Sequence, residues 1–287
     1  MAGGGRARGR AGADMRVAVD SFGITDKGKV RESNDDNFLI VEVRKSVDVQ
    51  HSSLHPDALG SRFGSSRGRL FAVADGVGSG PEGDRASGDT IEALLRYVSE
   101  TVGCFQAVTG CKDDELLERL QETVQGVHEA LSAYEGLSRQ APATTLTMVL
   151  LIWPRAYLVH VGDSRAYVRR RGRVQQLTRD QTLGEYMVSL GAWSEDQAAQ
   201  SRPGATLTSA VGGPQMDPVI GLIDLEPGDS MMLCTDGLTK HVSDDRIATV
   251  LGENSTAEAM SLAMMREALE AGGTDNISII VVRTLED

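Results

Sequence analysis

Six aspartates stand where apolar runs meet loops. Asp75 closes "LFAVAD" ahead of Gly76, Asp236 closes "MMLCTD" ahead of Gly237, Asp163 follows "YLVHVG", Asp275 precedes "NISIIVV", and Asp35 and Asp36 precede "NFLIVEV". A single Asp-Gly is an ordinary turn or helix cap. Brought together, carboxylates about 4 Å apart repel by about 4 kcal/mol per pair at an effective dielectric near 20, so such a cluster takes up protons or holds cations. All-oxygen donors favour Mg²⁺ or Mn²⁺, and no His/Cys set argues for zinc. Two such ions about 3.5–4 Å apart can share a water, lower its pKa and aim it at phosphorus. Gly76, with no side chain, lets its own carbonyl approach an ion. Arg31, in "KVRESNDD", lies four and five residues before Asp35 and Asp36. In an extended hairpin it can fork two bonds to a phosphoryl group.

The elements that must position these groups are legible in outline. "MRVAVDSFGI" alternates apolar and polar side chains as a half-buried strand does, and "NFLIVEV" reads as its hairpin partner. Residues 44–68, rich in Ser, His and Gly, read as an inserted loop. Two helices follow, "GDTIEALLRYVSE" and "DDELLERLQETVQGVHEALSAY". In the second, Leu116, Leu117, Leu120, Val124, Val127 and Leu131 form one apolar stripe, which leaves Glu118, Glu122 and His128 on the solvated side. From Ala143 come the strands "ATTLTMVLLIW", "AYLVHVGDS" and "AYVRRRGRVQQLT", with hairpin turns at Trp153-Pro154-Arg155 and Arg171-Gly172. Residues 180–217 are mixed, with a short helix at "LGEYMVSLGA". The strand "DSMMLCTDG", helices in "SDDRIATVLG" and "STAEAMSLAMMREALEAG", and the strand "NISIIVVRT" complete the chain. Grouped strands and grouped helices, rather than alternating βαβ units, predict one α+β domain of two mostly antiparallel sheets with helix pairs outside.

Composition narrows the class. A chain of 287 residues, 40% hydrophobic and 24% charged, suits one large or two small globular domains. The net charge of −12 argues against nucleic acid as the main partner. Cys104, Cys111 and Cys234 are odd in number and lack C-x-x-C spacing, which fits a reducing compartment. The longest apolar stretch, "LTMVLLIW", falls far short of the roughly 20 residues that span a bilayer. "MAGGGRARGRAGAD" has no apolar core and reads as a Gly/Arg-rich disordered tail rather than a secretory signal.

In order and separation, "VRESNDD", "FAVADGVG", "GDSRAY", "LTRDQT", "TDGLTK" and "GGTDNISIIVV" resemble the metal-dependent protein phosphatases of the protein phosphatase 2C type, over residues 16–285. The resemblance implies a four-layer αββα sandwich with a dinuclear Mn²⁺ or Mg²⁺ site at the strand ends. It implies a tail over residues 1–14 and a single catalytic domain over 15–287, with residues 180–217 as the flap beside the site. Asp75 would bridge the two ions, with Asp236 and Asp275 completing the first. The Gly76 carbonyl would bind the second, with Asp35 and Asp36 binding it or holding its waters. Arg31 would take the substrate phosphate, and Asp163 with Asp236 matches a third, weaker position. The implied activity is cytoplasmic hydrolysis of phosphoserine and phosphothreonine in proteins, opposing Ser/Thr kinases. It would proceed by in-line attack of a metal-bridging hydroxide with Arg31, Asp36 and Asp75 as catalytic residues, in a chain expected to be monomeric. Four positions depart from the family pattern: Val77 replaces the histidine of eukaryotic members, Ser79 a glycine, Gln181 a histidine and Asp35 a glutamate.

Two other readings compete. A phosphatase fold that only binds metal or phosphoprotein would serve as a sensor. Gly78, Gly80 and Gly83 also spell G-x-G-x-x-G, the dinucleotide-binding fingerprint, but that needs a βαβ unit with an acidic residue ending its second strand. Here a second helix follows the first, Pro81 falls inside the fingerprint, and Asp75 would repel a pyrophosphate.

Overall fold

The computed structural model describes residues 17–44, 67–77, 81–101, 113–133, 142–253 and 255–285. The expected tail at 1–14 lies outside these residues, as does the 44–68 loop apart from its ends, and so do Gly78, Ser79 and Gly80.

Among the described residues, eleven strands form two sheets. One runs β1(Val19–Asp26), β11(Ile277–Thr284), β10(Ser230–Cys234), β7(Arg165–Arg170), β8(Arg173–Gln176); the other runs β2(Asp36–Arg44), β3(Arg67–Val77), β5(Leu146–Ile152), β6(Arg155–Val161), β9(Val219–Asp224), with the short β4(Ala143–Thr144) on β3. Neighbours in both sheets pair antiparallel. The β3 strand, which leads into the glycine-rich turn, is antiparallel to both β2 and β5. The parallel βαβ unit that a dinucleotide turn requires is therefore excluded there.

Central strands are apolar on both faces because both faces are covered. Along β3, Leu70 and Ala72 face the helices α1(Pro81–Thr101) and α2(Asp113–Ser132), while Phe71 and Val73 face the opposite sheet. Along β10, Met232 and Cys234 pack under α6(Asp244–Leu251) and α7(Ala257–Glu270), while Met231 and Leu233 enter the space between the sheets. Three apolar layers thus separate helices, sheet, sheet and helices, the αββα sandwich. Between the sheets, Val149 and Leu158 of one meet Ile280 and Val282 of the other.

The sequence reading fails at three points. The strands β1 and β2 do not form a hairpin: β1 pairs with β11 and β2 with β3, in different sheets. Alternation marks a strand but not its partner, and "TDKGKVRESNDD" is long enough to cross between sheets. The first helix starts at Pro81 rather than Gly88, with proline at a position where the missing N–H costs nothing. His128 is not merely solvated, since its Nδ1 accepts a 3.0 Å bond from the Gly212 N–H. The α2 stripe holds: Leu116, Leu120, Val124, Val127 and Leu131 are buried and Leu117 is partly so. Both turns also hold. Arg171 and Gly172, at φ 51° and 81°, join β7 to β8 in the left-handed geometry that suits a two-residue hairpin.

Candidate metal centre

The sandwich brings the strand-end aspartates to one seam between the sheets. Asp36 opens β2 directly opposite Asp75 near the end of β3. Asp236 begins the single helical turn α5(Asp236–Thr239) after β10, and Asp275 stands before β11. Asp163 sits in the turn between β6 and β7.

Backbone and neutral side chains fix this arrangement. The Thr145 hydroxyl accepts from the Asp75 N–H at 3.0 Å, while the Thr145 N–H donates to the Asp75 carbonyl at 2.9 Å. Gly76 N–H donates to the Asp35 carbonyl at 3.1 Å. Asn276 ties the Arg31 loop to β11: its Oδ1 accepts from the Asp35 N–H at 2.9 Å, and its Nδ2 donates to the carbonyls of Lys27 and Ser33 at 2.9 and 2.8 Å. Thr235 joins the sheets, its hydroxyl donating to Asp36 Oδ2 at 2.7 Å and accepting from the Ser278 N–H at 2.9 Å. Asp35 takes a 2.8 Å bond from Ser33 Oγ.

The charges behave as a converged cluster. Burial lifts Asp75 well above the usual carboxylate range, and the charges of Asp36, Asp236, Asp163 and Asp275 lift it further. Burial pushes Asp36 up to about 7 despite bonds from Thr235 and Ser278. Asp163 is pushed up to about 8 by burial, with Asp236 and Asp180 adding and Lys240 opposing. Asp236 is raised by burial in spite of Lys240. Asp275 goes the other way: against its burial, bonds from Lys240 and Arg31 hold it below the usual range.

Two side-chain oxygens test whether these residues fit a cation. Asp36 Oδ1 and Asp236 Oδ1 are buried and accept no hydrogen bond among the described residues. An uncompensated buried carboxylate oxygen is costly, and a hard divalent ion is the partner that all-oxygen donors suit. Among the described residues no three acidic, imidazole or thiolate groups make a finished cage. The reason is local. Lys240 Nζ lies 2.6 Å from both Asp236 Oδ2 and Asp275 Oδ2, and Arg31 forks Asp275 through Nε at 2.7 Å and Nη2 at 2.9 Å. Arg31 thus reaches the cluster, from the segment that crosses between the sheets rather than the hairpin expected, and remains about half exposed.

A further clamp sits at the root of residues 180–217. Gln181 Oε1 accepts from the Gly162 N–H at 2.8 Å and its Nε2 donates to the Asp217 carbonyl at 2.7 Å. Its backbone bonds Gly162 O and the Thr208 N–H, each at 2.8 Å. One residue therefore joins the Asp163 turn to both ends of a segment built from α3(Leu183–Ser189), α4(Glu195–Gln200) and a 3₁₀ turn over Arg202–Ala205. Arg165 braces the same root with a bidentate pair to Asp180, Nε–Oδ1 2.9 Å and Nη2–Oδ2 2.8 Å. Sequence reading gave no role to Lys240, Asn276 or Thr235. Lys240 carried a signal, standing four residues after Asp236 and so on the same helix face, whereas the roles of Thr235 and Asn276 exist only once β10 and β11 pair.

Comparison with known proteins was decided by one match: the family model described as protein phosphatase 2C covers residues 49–271. The chain belongs to the protein phosphatase 2C family. Among curated members, it is 30% identical over 220 residues to the serine/threonine protein phosphatase PstP of Mycobacterium tuberculosis, a stretch covering 76% of this chain and 41% of that protein. It is also 30% identical over 226 residues, 77% of this chain and 89% of the other, to a putative protein phosphatase 2C-type protein of Streptococcus pyogenes. The crystal structure of the mycobacterial phosphatase matches with a TM-score of 0.74 at 26% identity, covering 94% of this chain and 100% of that one. The catalytic domain of PstP solved with two manganese ions matches at 0.71 and 26% identity, over the same shares. No helix among the described residues of this protein phosphatase 2C chain is long and apolar enough to cross a membrane.

Proposed function

We propose that this chain is a metal-dependent phosphatase of phosphoserine and phosphothreonine in proteins. The observation that carries the reading is the seam itself: five buried or half-buried aspartates from both sheets, two with orphaned oxygens, beside an arginine that the solvent and a phosphate can reach. Asp75, Asp236 and Asp275 would hold one Mn²⁺ or Mg²⁺ ion, and Asp75 with the Gly76 carbonyl and the Asp35–Asp36 pair the second. Asp163 with Asp236 offers a third position. When bound, the ions supply a water of lowered pKa and neutralise charge on a phosphoryl group.

The chain's own residues do the rest. Arg31 turns from Asp275 to fork two bonds onto the phosphoryl oxygens, a planar recognition that lysine does not reproduce. Asp36 and Asp75, face to face across one strand pair, give up the protons that burial favours as the site fills. Thr235 holds Asp36 oriented through Oδ2 and leaves the buried Oδ1 without a hydrogen bond among the described residues, open to a cation. Val77, 41% exposed, supplies no proton to a leaving oxygen, so that step falls to water. Residues 15–287 act as one catalytic domain, residues 180–217 as its flap and residues 44–68 as an inserted loop. Phosphorylated proteins in the cytoplasm, including Ser/Thr kinases or their substrates, are the partners, and the working unit is a monomer.

The test is hydrolysis of phosphoserine, phosphothreonine and phosphotyrosine peptides with and without Mn²⁺. Turnover of the first two that depends on metal and disappears in Asp75→Ala and Asp236→Ala is the expected result. Full activity in either variant, or none in the wild type with Mn²⁺, overturns the reading.

A further inference from the structure

Resting on the reading of the seam as a metal centre, we propose that Lys240 is a resident cation competing with a divalent ion for the Asp236–Asp275 pair. This half of the centre then fills only at higher metal concentration than the half built on Asp36 and Asp75.

An accounting of carboxylate oxygens separates the halves. Asp275 Oδ1 accepts from Arg31 Nε at 2.7 Å and from the Asn276 N–H at 3.0 Å. Its Oδ2 accepts from Lys240 Nζ at 2.6 Å and Arg31 Nη2 at 2.9 Å. Asp236 Oδ2 accepts from the same ammonium at 2.6 Å. Among the described residues no cation bonds Asp36, whose Oδ2 accepts from the Thr235 hydroxyl and whose Oδ1 has no hydrogen bond. A divalent ion can enter beside Asp36 and Asp75 without displacing a charge. Between Asp236 and Asp275 it meets an ammonium already holding one oxygen of each.

Lys240 is placed for this by the backbone. It caps α5, its N–H donating to the Asp236 carbonyl at 2.9 Å, so its side chain runs back along the turn over Asp236. The Gly237 position presses the turn against the Asn276 carbonyl, which keeps Asp275 within reach of the same Nζ. The two cations exclude one another because an ammonium and a metal ion on one carboxylate oxygen are like charges a few ångströms apart. The flexible four-carbon stem allows Lys240 to swing out, since its side chain is 41% exposed. Arg31 also occupies Asp275, on both oxygens, but does not bond Asp236, so substitutions of Lys240 isolate the cation that spans the pair.

Calorimetric titration of the metal-free full chain with Mn²⁺ reads the competition without any phosphatase assay. The wild type is expected to show a tighter and a weaker class of site. Lys240→Met is expected to tighten the weaker class tenfold or more and to change the tighter one less than threefold. An unchanged or weakened weaker class overturns the inference. Should Lys240→Met not fold without metal, Lys240→Gln is compared by the rise in melting temperature that Mn²⁺ produces; a larger rise than in wild type supports competition, an equal or smaller one overturns it. Absence of Mn²⁺ binding in both proteins removes this inference and the proposed function together. Metal-dependent peptide turnover with no gain in affinity for the variant removes this inference alone.

Discussion

Replacing Gly237 by alanine should disable the centre without touching a ligand. A Cβ at this position would stand 1.9 Å from the Asn276 carbonyl oxygen, 2.9 Å from its carbon and 3.2 Å from Ile277 Cγ1. Relief to the closest distance real Cβ atoms reach, 3.0 Å, requires the turn and the start of β11 to part by about 1.1 Å. The atoms in the way are backbone, so no rotamer change absorbs the clash. Asp236 precedes Gly237 and Asp275 precedes Asn276, so the separation falls on the two expected ligands of one ion. Overpacking of this kind costs about 1–3 kcal/mol, which at this size lowers the melting temperature by about 2–12 °C. A misplacement near 1 Å at a reacting centre costs about 100-fold in rate. Thermal unfolding of the metal-free chain and Mn²⁺-dependent hydrolysis of a phosphothreonine peptide measure the two effects separately. A variant that retains both wild-type stability and wild-type turnover refutes the claim that this glycine spaces the ligands.

Three further outcomes are expected. In the metal-free chain, Asp36 and Asp163 keep their protons up to about 7 and about 8, whereas unfolded carboxylates release them near 4. The folded state binds more protons in between, so stability should fall as pH rises from about 4 to 8, and urea denaturation across that range should show less of this fall when Mn²⁺ is present. Arg170→Ala leaves Asp229, 3% exposed and held by guanidinium bonds to Oδ1 at 3.2 Å and to Oδ2 at 2.9 and 2.6 Å, with only the Glu226 N–H at 2.8 Å among the described residues. Because the arginine is itself 33% exposed, a loss of about 3 kcal/mol is expected in the same denaturation assay, at the low end for a broken buried pair. Gln181→Ala removes the side-chain bonds to Gly162 and Asp217, about 1 kcal/mol each; faster proteolysis within residues 182–216 and a larger change in KM than in kcat should follow.

How much of this could be read beforehand depends on whether a feature is local. The apolar runs of β3, β5, β10 and β11, the α2 stripe and the two-residue turns are written in neighbouring residues, and they stand where expected. The aspartates were legible because each ends or begins such a run. The pairing of β1 was not, since its partner lies at the other end of the chain and alternation carries no address. Nor were Thr235 and Asn276, whose bonds span 199 and 241 residues. Gly237 was visible as a glycine after an aspartate, but its reason, the carbonyl of Asn276, exists only in the folded sandwich. Lys240 is the opposite case: its spacing from Asp236 is plain in the sequence, while its second partner, Asp275, lies 35 residues on.

The fastening of residues 180–217 at Gln181 and at the Arg165–Asp180 pair has a consequence for how such a protein diversifies. Gln181 meets both the departing and the returning strand of the segment at one point, beside Gly162. Residues 183–207 can be lengthened, shortened or exchanged as a cassette, whereas Val211 and Gly212 are tied to Thr144 and His128. A library confined to residues 183–207, with Gln181, Thr208 and Asp217 left in place, would therefore vary this segment on a scaffold whose seam of aspartates stays put.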